Sequence, residues 1–169
     1  MESNMFPTLP DEVREASRRP PVILADEDED TTLSKGIPSK PLLGVLPLAR
    51  LIPQDIHSVM DYVDALSAGS GALMAKDPRA QFASVFLAAS GAGVSLMTDY
   101  RLSAAKVIPI EAHEAIDHVW GLTAIALPFV LGYWKTSPRT AITHVVTGLG
   151  TIATSLFTDY RSYRGRGKQ

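Results

Sequence analysis

A chain of 169 residues with a net charge of −2 suits one domain of ordinary size, and nothing in its charge suits nucleic acid. It has no cysteine, which excludes disulfides, thiolate metal sites, a cysteine nucleophile and covalent c-type haem attachment. Mean hydropathy is only slightly positive, but that average mixes a polar, proline-rich first 50 residues with a stretch from about 56 to 160 rich in Ala, Gly, Leu, Ile and Val.

Residues 1–40 carry Pro7, Pro10, Pro20, Pro21 and Pro38 and the acidic run Asp26 to Asp30. With few periodic apolar residues to offset the entropy of ordering, this segment is expected to be a disordered tail, and its acidic run a solvated one. The first residues lack a basic stretch followed by an apolar one, so no cleaved signal peptide is expected. Residues 41–53 (PLLGVLPLARLIP) are apolar but short and broken by Pro47, which suits a strip at a membrane surface or against a bundle.

Four helices are expected next. The first runs from about Gln54 to Ala75, with Pro53 where a helix start tolerates it and Asp77-Pro78 as its stop. The second, Arg79 to about Met97, contains an uncharged run of the length that begins to span a bilayer. The third starts after Pro109, and its uncharged centre includes Pro128, which membrane helices tolerate. Ser137-Pro138 makes the next turn, and the fourth runs from Arg139 to about Phe157 with His144 as its ionisable group. Tyr133 and Trp134 at one end, and Tyr100 and Tyr160 at the other, are placed as interfacial anchors. A soluble bundle would need a charged outer face on each helix, and the second and fourth helices have none. The first helix, with Asp61 and Asp64, is the poorest span and would insert with its partner. The fold class expected is therefore all-α: a bundle of four transmembrane helices built from two helical hairpins.

The hairpins read as a duplication. Ile52 to Arg101 begins IPQDIHSVMDYVDAL and ends SLMTDYR; Ile108 to Arg161 begins IPIEAHEAIDHVWGL and ends SLFTDYR. Repeat 1 covers residues 54–101 and repeat 2 residues 108–161, with a basic tail at 162–169. Two spans per copy make both copies enter the bilayer in the same direction. Arg50, Arg101, Lys106, Arg161, Arg164, Arg166 and Lys168 outweigh Lys76, Arg79, Lys135 and Arg139, so the first end should be cytoplasmic, with both termini inside. The basic tail would answer the charge of the inner leaflet.

This topology gathers the polar groups at one membrane face: His57, Asp61, Asp64, Asp99, Tyr100 and Arg101 from the first copy, His113, Asp117, His118, Asp159, Tyr160 and Arg161 from the second. His57, Asp61 and Asp64 share one helical stripe. Asp61 lies about 9 Å and Asp64 about 14 Å beyond Ile-Pro, inside hydrocarbon, where a carboxylate must be paired, protonated or wet. Because the motif occurs twice nearly unchanged, the cluster is expected to be a structural clamp tying each helix start to the TDYR end of its own hairpin. A proton-relay or ligand site is the functional alternative. The copies differ at Asp64 (Trp120 in the second) and His118 (Tyr62 in the first), where a specialised role would be sought.

His57, Asp61, His113 and Asp117 could together ligate a metal, but no metal, cofactor or catalytic residue is assigned from the sequence. His144 lies near the opposite face, awkward for a transverse b-type haem, and suits a packed histidine bonded to a neighbouring helix. GLGTIA (148–153) has no preceding strand and is no dinucleotide fingerprint. Gly69-Ser70-Gly71 lacks the scaffold of an intramembrane protease. The rows Ser67/Gly71, Ala68/Ala72 and Ala89/Gly93 are better read as packing faces.

The pattern His-x3-Asp, a Gly/Leu-rich span with Leu127-Pro128-Phe129, and a second span ending in Thr-Asp-Tyr resembles the bacterial SPW-repeat integral membrane proteins. The likeness covers about residues 52–161, and Leu127-Pro128-Phe129 stands where that family has Ser-Pro-Trp. Gly71-Ala72-Leu73-Met74 in the first copy lacks the proline. The resemblance implies a small membrane protein of two hairpins and transfers no activity. The expected role is a non-enzymatic structural or accessory module in the cell's inner membrane. Its partners would be the lipid bilayer and subunits of a larger membrane complex, with self-association also compatible; nucleic acid is not expected. A small proton-coupled transporter, or a b-haem or metal-binding membrane protein, is the alternative.

Overall fold

The computed structural model describes residues 42, 43 and 45–160. The acidic tail (1–40), Arg161 and the basic tail (162–169) lie outside the described residues. The described chain is all-α in its architecture: α1 (Gln54–Met74), α2 (Pro78–Met97), α3 (Ile110–Val130) and α4 (Pro138–Phe157), with two short strands, β1 (Ile52–Pro53) and β2 (Thr158–Asp159), at one end.

Local chemistry fixes the ends of these helices. Pro78 and Pro138 occupy first helical turns, where the missing N–H costs nothing. Asp77 caps α2 by accepting from the Arg79 amide at 2.9 Å. Past the end of α3, Gly132 takes φ +74°, the left-handed conformation that lets the chain reverse. Each helix has 20 or 21 residues, about 30 Å of length, the thickness of a bilayer's hydrocarbon.

The chain ends of the hairpins pair across, not within, each hairpin. β1, which leads into α1, lies parallel to β2, which follows α4, with Ile52 opposite Thr158. Thr98, which follows α2, makes the matching parallel bridge to Ile108, which leads into α3. At the other end the two connecting turns meet, with the Thr136 hydroxyl donating to the Asp77 carboxylate. Residues 48–51 run along the end of α4, Leu48 and Leu51 donating their amides to Leu156 and Phe157 carbonyls at 2.9 Å.

The interior is polar and small; the exterior is large and apolar. Buried groups include His57, His113, His144, Asp117, Ser84, Thr140 and Ser155, while the aliphatic core is largely alanine with Leu87 and Ile110. Val63, Leu66 and Leu73 on α1, Phe82 and Phe86 on α2, Leu122 and Phe129 on α3, and Ile142 and Leu149 on α4 all face outward. Two helices, Pro78–Met97 and Pro138–Phe157, are long and apolar enough to cross a membrane. Only 28% of the apolar window of α2 and 44% of that of α4 is buried, which is not the burial of a soluble core helix.

Close backbone approach needs the glycines. A Cβ on Gly148 would sit 2.5 Å from the Gly121 carbonyl oxygen, and one on Gly121 would sit 2.8 Å from that of Gly148. Gly148 of the GLGTIA run is thus a helix-packing glycine. The expected Ala89/Gly93 packing face is not one: Ala89 is exposed and nothing lies within 4 Å of where a Gly93 Cβ would be. The aromatic anchors also need correction. Tyr100, Tyr133 and Tyr160 are buried because their hydroxyls bond inward, and of the four only Trp134 lies exposed.

Candidate functional site

The cross-paired chain ends bring two histidines and two aspartates into a closed ring. His57 and Asp61 stand one turn apart on α1; His113 and Asp117 do the same on α3. His57 Nε2 lies 3.2 Å from Asp61 Oδ1 and 3.0 Å from Asp117 Oδ2. His113 Nε2 lies 3.1 Å from Asp61 Oδ2 and 3.3 Å from Asp117 Oδ1. Every imidazole therefore meets both carboxylates, and every carboxylate uses both oxygens. The rings of His57 and His113 meet edge to face, with centroids 5.7 Å apart, which leaves no room for a haem between them.

The outer layer of the ring is also repeated. His57 Nδ1 is 2.8 Å from Thr158 Oγ1, and His113 Nδ1 is 2.8 Å from Thr98 Oγ1. Each threonine hydroxyl donates to the carbonyl four residues back, Thr154 and Val94 respectively. Its only hydrogen is then spent, so each threonine oxygen accepts from Nδ1–H. The tautomer is fixed by this chain of bonds: Nδ1 carries a hydrogen and Nε2 points into the ring. Tyr100 donates to Asp61 Oδ2 at 3.3 Å, and Tyr160 to Asp117 Oδ2 at 2.8 Å. Burial first, and then the adjacent carboxylate (Asp61 for Tyr100, Asp117 for Tyr160), push both phenols above their ordinary range, so both remain donors.

These contacts revise the clamp expected from the sequence. The Tyr–Asp bond near the first ring half is internal to the first hairpin, but each His–Thr bond crosses to the other hairpin, because the parallel pairing sets Thr98 beside α3 and Thr158 beside α1. Arg101 is not an inward partner; it reaches Asp55 at the surface, 3.5 Å away. Asp64 stays outside the ring and accepts from Thr151 at 2.7 Å. Asp99 lies 3.9 Å from Lys106, Asp159 sits in β2 opposite Pro53, and His118 has no part in the ring. Arg161 falls outside the described residues. The functional groups passed over in the sequence are Thr98 and Thr158, although both copies of TDYR begin with them.

One face of the ring is open. A small cleft, with about 20 Å³ of room for a water-sized sphere, is lined by Asp61, His113 and Asp117, and runs on past Asp64, Ser95 and Trp120. Trp120 holds it apart, wedged against α2 with its indole N–H 3.2 Å from Ser90 Oγ.

A second polar layer lies about 10 Å further along α1, at the level of Ala68. His144 Nε2 is 3.2 Å from the Ala68 carbonyl and 3.0 Å from Ser84 Oγ, while Tyr133 bonds Nδ1 at 2.7 Å. A carbonyl only accepts, so Nε2 carries the hydrogen, and Ser84 spends its own on Ala80. With Nε2 a donor, Ser84 and His144 cannot work as nucleophile and base. The pair ties α1, α2 and α4 together.

No family model, no curated protein and no solved structure matches this chain. The likeness to SPW-repeat proteins finds no support in these comparisons.

Proposed function

We propose that the chain is a multi-pass membrane protein whose four helices all cross the bilayer, acting as a non-enzymatic structural or accessory module within a larger membrane assembly. The observation that carries this reading is the inverted distribution of residues: polar groups bonded to one another inside, large apolar side chains outside. In water such an exterior would drive association; in lipid it costs nothing, while unpaired polar groups would cost several kcal/mol each, roughly. α1 and α3 do not qualify as spans alone, but Asp61, Asp117, His57 and His113 are buried against one another and the large outward side chains of both helices are apolar. The ring and the His144 layer tie the hairpins at two heights, as an accessory scaffold requires. The excess of basic residues at the ring end favours both termini on the cytoplasmic side of the inner membrane.

The natural absence of cysteine makes the test direct. Single cysteines at Lys76 and Lys135 should react with an impermeant thiol reagent from one side of intact cells, and one at Lys106 only after permeabilisation. The protein should also stay with membranes after alkaline carbonate. Release by carbonate, or labelling of all three positions from the same side, would overturn the reading. A small ion or proton carrier is the second reading, favoured by the cleft that reaches the ring; proteoliposome flux that disappears in Asp64→Asn would support it.

A further inference from the structure

We propose that His57, Asp61, His113 and Asp117 form the binding site of one divalent first-row transition cation of the zinc class. Thr98 and Thr158 each spend their hydroxyl hydrogen on a backbone carbonyl and so take the Nδ1 hydrogen of His113 and His57. A neutral imidazole held in this way has a bare lone pair on Nε2, aimed at two carboxylates 3.0 to 3.3 Å away. Lone pairs facing carboxylate oxygens repel unless something positive sits between them. A divalent cation satisfies both nitrogens and both carboxylates with one charge.

Spacing and charge agree with that occupant. Ligand atoms about 2.0–2.1 Å from a tetrahedral zinc lie about 3.3 Å from one another, close to the edges of this ring. One atom from each of the four residues falls within 4.8 Å of the other three. Two neutral imidazoles, two carboxylates and a 2+ ion sum to zero, the cheapest total for a site deep in a low-dielectric bundle. The supporting bonds are those that metal ligands need: an acceptor on each Nδ1–H, and the Tyr100 and Tyr160 hydroxyls on the two carboxylates. Two nitrogens and two oxygens with no thiolate favour zinc, cobalt or iron over calcium or magnesium. The cleft past Asp64 and Ser95 gives the ion a route in from one side. The site depends on the bundle and not on the lipid, so it stands or falls separately from the membrane reading.

The alternative occupant is a pair of protons, one on each Nε2, which also gives zero net charge; the test separates the two. The full-length chain, purified in mild detergent and stripped with a chelator, is titrated with Co²⁺. One equivalent should produce the visible d–d band of a tetrahedral nitrogen/oxygen site, and Zn²⁺ should abolish it. His57→Ala/His113→Ala should bind at least a hundredfold more weakly, and His118→Gln should bind as the parent does. Thr98→Val and Thr158→Val keep all four donors but lose the Nδ1 acceptor, and should each weaken binding by roughly 10–100-fold with helical circular dichroism unchanged. A folded parent protein that gives no cobalt band overturns the proposal. So does a band that survives in the double variant, one lost in His118→Gln, or one unchanged in both threonine variants.

Discussion

The two seams between the hairpins are built on the same plan and close differently. At the seam of α1 and α4, β1 pairs with β2, Thr158 holds His57, and Asp64 accepts a 2.7 Å bond from Thr151. At the seam of α2 and α3, Thr98 bridges to Ile108 and holds His113, but the position equivalent to Asp64 is Trp120, whose indole rests against α2 instead of drawing the helices together. The cleft opens at that seam. A near-duplicate of sequence thus yields a symmetric ring inside an asymmetric shell. One side chain on a shared helical stripe distinguishes the seam closed by a hydrogen bond from the seam beside the cleft.

Four sets of substitutions test the two seams and the far end of the bundle. The ring being symmetric, Asp61→Leu and Asp117→Leu should cost about the same, roughly 3–5 kcal/mol each, because either takes from both imidazoles one of the two buried carboxylates they share. Unequal losses of thermal stability in detergent would show that one seam dominates. Thr158→Val and Thr98→Val should each cost about 1–3 kcal/mol, the penalty of a buried Nδ1–H with no acceptor, again equally at both seams. Asp64→Asn weakens the bond to Thr151 that closes the seam of α1 and α4 and should cost about 1 kcal/mol, with no matching effect from Trp120→Phe, which keeps the wedge.

The smallest effect concerns the far end, where Asp77 joins the two turns. The Arg79 side chain, then the Thr136 hydroxyl and the Arg79 amide, hold the Asp77 carboxyl well below the usual carboxylate range. Its contribution is complete above the pKa of the unfolded chain and fades as pH falls, because the unfolded chain takes up the proton first. Melting temperature should therefore drop more steeply on acidification in the parent than in Asp77→Asn. Parallel pH profiles would remove Asp77 from the account.

Much of the helical framework is legible in the sequence for local reasons. Ile-Pro and Asp-Pro mark starts and stops because proline lacks an amide hydrogen, and uncharged runs in α2 and α4 mark the two helices long and apolar enough to cross a membrane. His57 with Asp61, and His113 with Asp117, are readable as pairs because a spacing of four places them on one helix face. That the pairs fuse into one ring is not readable from either helix. It depends on which chain end lies beside which, and the sequence is equally consistent with clamps inside each hairpin. Nor could the tyrosines be separated from lipid-facing anchors by type: Tyr100 and Tyr160 turn inward because Asp61 and Asp117 wait there as acceptors.

What the chain determines by itself is periodicity, breakers and the positions of its few charges, all set by neighbours within about one helical turn. Tertiary structure alone decided the tautomer of the two ring histidines, the partnership of Thr98 with His113 and Thr158 with His57, and the open seam beside Trp120. Each of those joins residues 15 to 101 positions apart or turns on how two helices meet, and a hydrogen bond between distant residues leaves no trace in local pattern.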